Sequence, residues 1–326
     1  MDNFKEVEKI NEINGVIYEN IRELNKGVRH FSDLNKDLFI FCTENIIYLL
    51  SKQNFETKIE IKESEIKDIK YCKKIDDEKF LIQIPNFIVI IKVIDNVDYM
   101  IIQKYELPSN YYSFNSKFDL VYAQTEKDEY CRNRNKYCVY LIKYSEIIKN
   151  KKSNNRFFAN VDGLPQFIND VHFFYFCKDI VELYEAQNNN YYTNNYSIEA
   201  IKSIKLDYNY NYACIIDLNK NFFCLNDRSK ILLLNKNDLT LSKTISMNNN
   251  NLGLFKNSDN NISIFYETKD KKLAIYNYDI LIDGLNWNLK GSKNIVNEEV
   301  YRVEKSNNYF ICRTNRACFV FEIKNK

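Results

Sequence analysis

Residues Glu78 to Asp95 have the sequence EKFLIQIPNFIVIIKVID, in which two apolar runs flank Pro85 and Asn86. The runs, Phe80 to Ile84 and Phe87 to Val93, both have the length of β-strands, and the second is rich in β-branched residues. Pro-Asn is typical of a tight turn because both residues suit turn geometry. The stretch therefore predicts a β-hairpin.

The second run, Phe87 to Val93, barely alternates between apolar and polar residues. An antiparallel strand with one face in water should alternate, so a nearly continuous apolar run indicates that both faces of the strand are covered. A two-layer sandwich covers one face of each sheet, whereas the blades of a propeller cover each other on both faces. The hairpin therefore favours an all-β propeller.

Comparable strands recur along the chain at intervals of about 41 to 51 residues, which is the spacing of propeller blades. A plausible partner strand precedes each of them, and a more polar run suited to an outer edge follows most of them. Seven units fit the chain. Their second strands begin near Asn45, Phe87, Lys136, Asp179, Lys230, Lys271 and Arg316.

The two ends of the chain predict how the ring closes. Only three residues follow Ile323, so the seventh unit lacks an outer strand, while Gly15 to Leu24 is a spare strand near the N-terminus. Letting this strand complete the last blade removes two free sheet edges. We therefore predict a single seven-bladed propeller domain over residues 15–326. Met1 to Asn14, with apolar residues at threefold spacing, is predicted to be a short helical lead-in.

In this plan the chain resembles the WD40-like seven-bladed β-propeller superfamily, over nearly its whole length. The sequence has no Trp-Asp dipeptide and no Gly-His dipeptide, and its single tryptophan, Trp287, lies in a predicted outer strand. The resemblance therefore rests on strand rhythm. It implies the fold, and it transfers no functional residue to this sequence.

Composition limits the class of protein. The formal net charge is +2, which does not indicate a polyanion as the main partner. No N-terminal apolar segment and no membrane-spanning stretch occurs, and most of the nine cysteines lie in predicted strands. Reduced thiols in the cytoplasm or the nucleus are the simplest expectation. With only six Gly, Asn and Asp are expected to take the turns, as at Asn86, Asn219 and Asn307.

The motifs of catalysis and cofactor binding are missing from the sequence. His30 and His172 are the only histidines, and no C-x-x-C motif occurs, so we predict no metal site. The glycines are too far apart for a phosphate-binding loop, so we predict no cofactor. Adjacent acids such as Asp76-Asp77 could serve acid and base roles, but nothing in the sequence places two across a cleft. An enzyme is therefore the least favoured class.

The sequence favours a non-catalytic scaffold that binds other proteins of an intracellular complex. The insertion after the fourth second strand carries Tyr191, Tyr192 and Tyr196 on a polar loop, where strand alternation does not explain them. Tyrosine commonly anchors protein interfaces. We predict that these residues bind a partner, and that residues 1–14 are a further candidate for docking.

A second possibility is a propeller that binds phosphate groups of RNA or of a phosphoinositide. Two loops of the third unit form the most basic region of the chain. Its candidate residues are Arg132, Arg134, Lys136, Lys151, Lys152 and Arg156. The sequence leaves open whether both loops lie on one side of the ring. The paired-Arg motif of phosphoinositide-binding propellers is absent, because no Arg-Arg dipeptide occurs.

Overall fold

The structure is a computed structural model that describes most of the 326 residues. The described residues are 10–13, 16–25, 27–107, 111–123, 137–151, 156–159, 164–177, 180–185, 201–205, 214–226, 230–246, 250–258, 261–269, 272–280, 287–296 and 299–325. They form seven antiparallel sheets, and each sheet is one blade of a ring.

The first strands of the chain are β1 (Ile10–Ile13) and β2 (Val16–Asn25). Blade 1 consists of β3 (His30–Asp33), β4 (Leu38–Cys42), β5 (Ile47–Ser51) and β6 (Thr57–Ile61). Blade 2 consists of β7 (Tyr71–Lys74), β8 (Lys79–Ile84), β9 (Phe87–Ile94) and β10 (Asp98–Glu106). Blade 3 consists of β11 (Tyr111–Phe114), β12 (Leu120–Ala123), β13 (Tyr137–Ile142) and β14 (Arg156–Ala159), with helix α1 (Tyr144–Ile148) between the last two.

The other four blades follow the same order. Blade 4 consists of β15 (Leu164–Phe167), β16 (His172–Cys177), β17 (Ile180–Glu185) and β18 (Lys202–Lys205). Blade 5 consists of β19 (Cys214–Asp217), β20 (Phe222–Asn226), β21 (Lys230–Asn235) and β22 (Leu241–Ser246). Blade 6 consists of β23 (Asn250–Ser258), β24 (Asn261–Glu267), β25 (Leu273–Ile280) and β26 (Trp287–Val296). Blade 7 combines β27 (Val300–Ser306), β28 (Tyr309–Thr314) and β29 (Ala317–Asn325) with β2 and β1.

We name the four strands of each blade A to D from the axis of the ring outward. The A–B and C–D connections lie at one face of the ring, here called the A–B face, and the B–C connections lie at the opposite face, the B–C face. This follows because consecutive strands of every blade are antiparallel. The seven predicted second strands are the C strands, and their predicted partners are the B strands.

The predicted ring closure is confirmed. Strand β2 pairs antiparallel with β29 from Val16 opposite Asn325 to Asn25 opposite Ala317, so the start of the chain supplies the D strand of blade 7. The Leu24 side chain packs against a core cluster that also contains Phe31 and Phe39 of blade 1. The first and last parts of the chain therefore close the ring through both a strand ladder and side-chain packing.

The hairpin at Pro85 and Asn86 is also confirmed, because Ile84 lies opposite Phe87 and Asn86 has a φ of 64°. The apolar run after it is covered on both faces. Val89 and Ile91 pack in a core cluster shared with blade 1, and Ile88 and Ile90 pack in a cluster shared with blade 3. Each fully buried aliphatic side chain contributes about 1.5–3 kcal/mol, so these interfaces between blades hold the ring together.

Asparagine lies in several A–B turns and also links neighbouring blades. Asn169 Oδ1 accepts hydrogen bonds from the backbone N–H groups of Val171 and His172, while its Nδ2 donates to Asp217 Oδ2 of blade 5 (3.2 Å). The same position in blade 7, Asn307, donates to Asp33 Oδ2 of blade 1 (2.8 Å).

Both acids are also paired with a lysine of their own blade. Asp33 pairs with Lys52 and Asp217 pairs with Lys236. Each lysine lies over an aromatic ring of its blade, Phe39 for Lys52 and Phe223 for Lys236, at 4.8 and 4.9 Å from the ring centre. The same kind of contact between neighbouring blades therefore occurs at Asp33 and at Asp217, both on the A–B face of the ring.

Two expectations need correction. Residues 10–13 form strand β1 and not part of a helix, and they pair with β2 from Ile10 opposite Glu19 to Ile13 opposite Val16. The two residues between these strands are Asn-Gly, a dipeptide typical of tight hairpins, so the local turn signal outweighs the threefold apolar spacing. Residues 1–9 of the predicted lead-in lie outside the described residues. In addition, Cys138 is disulfide-bonded, although all thiols were expected to be reduced.

Candidate functional site

An apolar strip lies on the outer edge of blade 2. We call it the β10 strip and define it as Ile94, Val97, Met100, Ile101 and Ile102, whose exposed fractions range from 36 to 74%. Strand β10 is the terminal strand of its sheet and pairs only with β9. An exposed cluster of large apolar side chains beside a free sheet edge is the feature expected of a protein-binding surface.

A β-bulge explains why three successive residues of the strip are exposed. Ile101 lies opposite Ile91 and Gln103 lies opposite Ile90, so Ile102 is an extra residue in the ladder. In a regular strand, neighbouring side chains point to opposite faces of the sheet. The bulge breaks this alternation, and Met100, Ile101 and Ile102 are all exposed.

The outer strands of other blades differ from β10. The exposed residues of β6 include Thr57, Lys58 and Glu60, and those of β18 are Lys202, Ser203 and Lys205. In β22 one large apolar residue, Leu241, is exposed among polar neighbours. Polar outer strands protect an edge from pairing with other chains, and β10 lacks this protection over its centre.

Charged and polar groups surround the β10 strip. Lys104 Nζ donates to Glu65 Oε2 (2.5 Å) and lies 4.5 Å from the centre of the Phe87 ring. Tyr99 Oη donates to Glu63 Oε1 (2.6 Å), and this hydrogen bond raises the pKa of Tyr99 to about 12. Asp98, at the start of the strand, is exposed and forms no ion pair with any described residue. Strand β10 therefore begins with an acid that has no ion pair among the described residues and carries a lysine near its other end.

A buried charge cluster lies where blade 7 meets blade 1. Glu304 Oε1 accepts a hydrogen bond from Arg313 Nη2 (2.7 Å), forms an ion pair with Arg302 Nη2 (2.7 Å) and lies 3.6 Å from His30 Nδ1. Burial alone would raise the pKa of Glu304, but the hydrogen bond from His30 and the charges of Arg313 and Arg302 outweigh it and lower the pKa. The cluster joins the A strand of blade 1 to two strands of blade 7, so its chemistry is structural.

A pocket with a volume of about 570 Å³ opens at the A–B face, between the A–B turns of blades 3 and 4. Most polar groups of its wall already bind each other: Asn115 and Ser116 donate to Asp170, and Asn169 donates to Asp217. Lys73 Nζ donates to the Asn115 carbonyl (3.4 Å), and burial lowers the pKa of Lys73. These contacts join the turns of neighbouring blades, and the pocket is also lined by His172, whose Nδ1 has no hydrogen-bond partner among the described residues.

The predicted site residues fall mainly outside the described residues. Outside the described residues lie Tyr191, Tyr192 and Tyr196, which belong to the connection between β17 and β18. Arg132, Arg134, Lys136 and Lys152, in the loops of blade 3, also lie outside the described residues. Lys151 is exposed, and Arg156 is the first residue of β14. The sequence predicted a more polar outer edge strand at this position, but it did not single out the apolar residues of the β10 strip. The bulge that exposes them leaves no local signal.

The structure separates the two basic loops of blade 3. The loop with Arg132, Arg134 and Lys136 joins the start of β13, and the loop with Lys151 joins the end of the same strand. The first is a B–C connection and the second is a C–D connection, so they attach at opposite faces of the ring. The connection that carries the three tyrosines attaches at the same face as Lys151.

The described residues carry no cluster typical of a metal site. No group of three or more His, Cys, Asp or Glu side chains among them is arranged to hold a metal ion. Within the same residues, no helix combines the length and the apolar character required to cross a bilayer.

Comparison with solved structures identifies the fold as a seven-bladed β-propeller of the WD40 type. A chain from "Crystal Structure of Mitotic Checkpoint Complex" has a TM-score of 0.64 and 9% identity, and the match covers 100% of this chain and 98% of that chain. The C-terminal WD40 domain of Sif2 has a TM-score of 0.60 and 10% identity, with 98% of both chains covered. Hsv2 from Kluyvelomyces marxianus has a TM-score of 0.56 and 6% identity, with 86% of this chain and 95% of that chain covered.

No protein-family profile and no curated protein sequence matches this chain. Identities of 6 to 10% show a common fold and do not transfer residue roles or partners. The function must therefore be inferred from this chain's own surfaces.

Proposed function

We propose that this chain is a non-catalytic scaffold that binds other proteins as a subunit of a multiprotein complex, in the cytoplasm or the nucleus. The observation that carries the proposal is the β10 strip, an exposed apolar surface on a free edge of its sheet. The fold fits this role, because one similar chain was determined as part of the mitotic checkpoint complex. Tyr191, Tyr192 and Tyr196 remain a second candidate surface.

Affinity purification with quantitative mass spectrometry tests the scaffold proposal. We expect Ile101→Lys, which places a charge in the centre of the β10 strip, to reduce at least one captured protein about tenfold or more, as loss of an apolar anchor does. Leu241→Lys is the matched control, because Leu241 is also exposed on an outer strand, and it should leave the captured set unchanged.

A second arm of this experiment replaces Tyr191, Tyr192 and Tyr196 together with alanine. Loss of a different protein would support a second binding surface. The scaffold proposal is wrong if Ile101→Lys, the triple tyrosine variant and the native chain capture the same proteins in the same amounts.

Binding of a phosphate-bearing ligand, RNA or a phosphoinositide, is the second candidate function. Lys151 favours it, since this residue is exposed on the A–B face close to the start of β14, where Arg156 lies. Phosphate binding by three basic residues predicts that affinity for single-stranded RNA falls with salt, with a log–log slope of about −2. Equal affinity at low and high salt would exclude this function.

Two triple alanine variants locate the phosphate site. One replaces Lys151, Lys152 and Arg156, and the other replaces Arg132, Arg134 and Lys136. Because the two loops join opposite ends of β13, only one variant should lose binding to RNA or to phosphoinositide vesicles. Similar partial losses in both variants would contradict a single site.

A further inference from the structure

The β10 strip has a pattern that is complementary to itself. An antiparallel pairing of two β10 strands centred on Ile101 sets Ile101 of one copy opposite the partner's Ile101. In the same register, Met100 faces the partner's Ile102 and Asp98 faces the partner's Lys104. Because the arrangement is two-fold, each of the last two pairs forms twice. We propose that the β10 strip is the contact surface for a second copy of this chain. This inference rests on the proposed function, because it identifies the partner that binds the same surface.

Charge favours this register over its neighbours. Asp98 is exposed and forms no ion pair with any described residue, so the partner's Lys104 would supply its missing counter-charge. In the monomer Lys104 binds Glu65, and in the dimer it would lie between Glu65 and the partner's Asp98. Shifting the centre of symmetry by one residue toward the end of the strand sets Asp98 opposite the partner's Glu106, which is repulsive.

The edge geometry also fits a second copy. Opposite side chains of an antiparallel pair lie about 4.5–5.5 Å apart, so Met100, Ile101 and Ile102 from both chains would cover each other. The bulge at Ile102 interrupts backbone pairing at the centre, and side-chain packing supplies the contact there. A nine-residue edge buries less area than a standard interface, so we expect a reversible dimer with a micromolar dissociation constant.

Analytical ultracentrifugation of the full chain over a concentration series tests the proposal. We expect a monomer–dimer equilibrium for the native chain. Ile101→Lys should be monomeric throughout the series, because two ammonium groups would meet at the symmetry axis. Leu241→Lys, an equivalent change on the outer strand of blade 5, should dimerise like the native chain. Ile101 is already exposed, so the folded state should keep its melting temperature.

A charge swap tests the register. Asp98→Lys alone should weaken the dimer roughly tenfold, because two exposed ion pairs become two repulsive pairs. The triple variant Asp98→Lys/Lys104→Asp/Glu65→Lys reverses all three charges, including that of the residue that pairs with Lys104, and restores complementarity, so its dissociation constant should return to near the native value. If the charge-swapped variant dimerises more weakly than Asp98→Lys alone, this register is wrong.

The outcomes separate this proposal from the scaffold proposal. If the native chain is monomeric throughout the series, the second copy is not the occupant of the β10 strip. In that case, a captured protein that is lost with Ile101→Lys would still support the scaffold and would identify a different protein as the occupant. If Ile101→Lys dimerises as the native chain does, the dimer uses another surface and the proposal is wrong.

Discussion

Replacing Glu304 with alanine is expected to lower the free energy of unfolding by about 3–5 kcal/mol, as loss of one partner of a buried ion pair does. Glu304 is the carboxylate that neutralises Arg302 and Arg313, and the Arg313 side chain is only 5% exposed. Without Glu304, the Arg313 guanidinium remains buried without its counter-ion, and the contact between blades 7 and 1 weakens. Urea unfolding followed by circular dichroism measures the change.

Glu65→Ala is the matched control for this experiment. Glu65 also receives a hydrogen bond from a cation, Lys104 at 2.5 Å, but it lies on the surface. Water replaces the lost interaction at an exposed site, so the unfolding midpoint should not change measurably. Equal shifts for the Glu304 and Glu65 variants would show that burial of the cluster does not matter.

The pH dependence of unfolding checks the same cluster. The pKa of Glu304 is lower in the folded chain than in the unfolded chain, so its contribution is complete at neutral pH and is lost as the pH falls through the folded-state pKa. The difference in stability between the native chain and Glu304→Gln should therefore shrink on acidification. A difference that stays constant from neutral to acid pH would contradict the lowered pKa.

The ring could be predicted from the sequence because one strand of each blade is buried on both faces. The run from Phe87 to Val93 contributes alternate residues to two core clusters, and that environment requires apolar side chains at almost every position. The B and C strands carry this signal in all seven blades. Their spacing therefore revealed the number of blades, although the sequence motifs of the WD40 family are missing.

The innermost and outermost strands could not be predicted in the same way. The A strands of the first five blades have only four residues, and their apolar and polar positions serve contacts with neighbouring blades. Lys73 in β7 is an example, since its partner is the Asn115 carbonyl of the next blade. Strand β1 lies outside the D strand of blade 7, where no periodic core pattern is imposed.

The candidate site depends on geometry that a sequence does not contain. Met100, Ile101 and Ile102 have the composition of a core strand, and only the bulge opposite Ile90 and Ile91 exposes them together. Likewise, His30 reaches Glu304 only because the ring closes and brings the two ends of the chain together. The predicted tyrosine site rested on a loop composition that no strand pattern explained, and it stays a prediction.

Deleting residues 1–25 is expected to abolish cooperative folding, because it removes the strand that closes the ring. Strand β2 covers β29, in which Phe319, Val320 and Phe321 are at most 2% exposed. Its loss would open an apolar edge and the seam between blades 7 and 1. The free energy of unfolding of a domain is only about 5–15 kcal/mol, and losing a ten-residue strand of the ring removes a large part of it. Aggregation and loss of a sigmoidal urea transition measure the effect.

Deletion of residues 1–13 alone separates ring closure from a general requirement for the N-terminus. This variant lacks β1 but keeps β2, so the ladder from Val16 to Asn25 can still form and the chain should unfold cooperatively. A synthetic peptide of residues 14–25, added to the chain that lacks residues 1–25 during refolding, should restore the transition, because it supplies the missing strand in the same register. If the chain without residues 1–25 unfolds with the native midpoint and needs no peptide, the ring does not depend on β2, and blade 7 is stable with a free edge at β29.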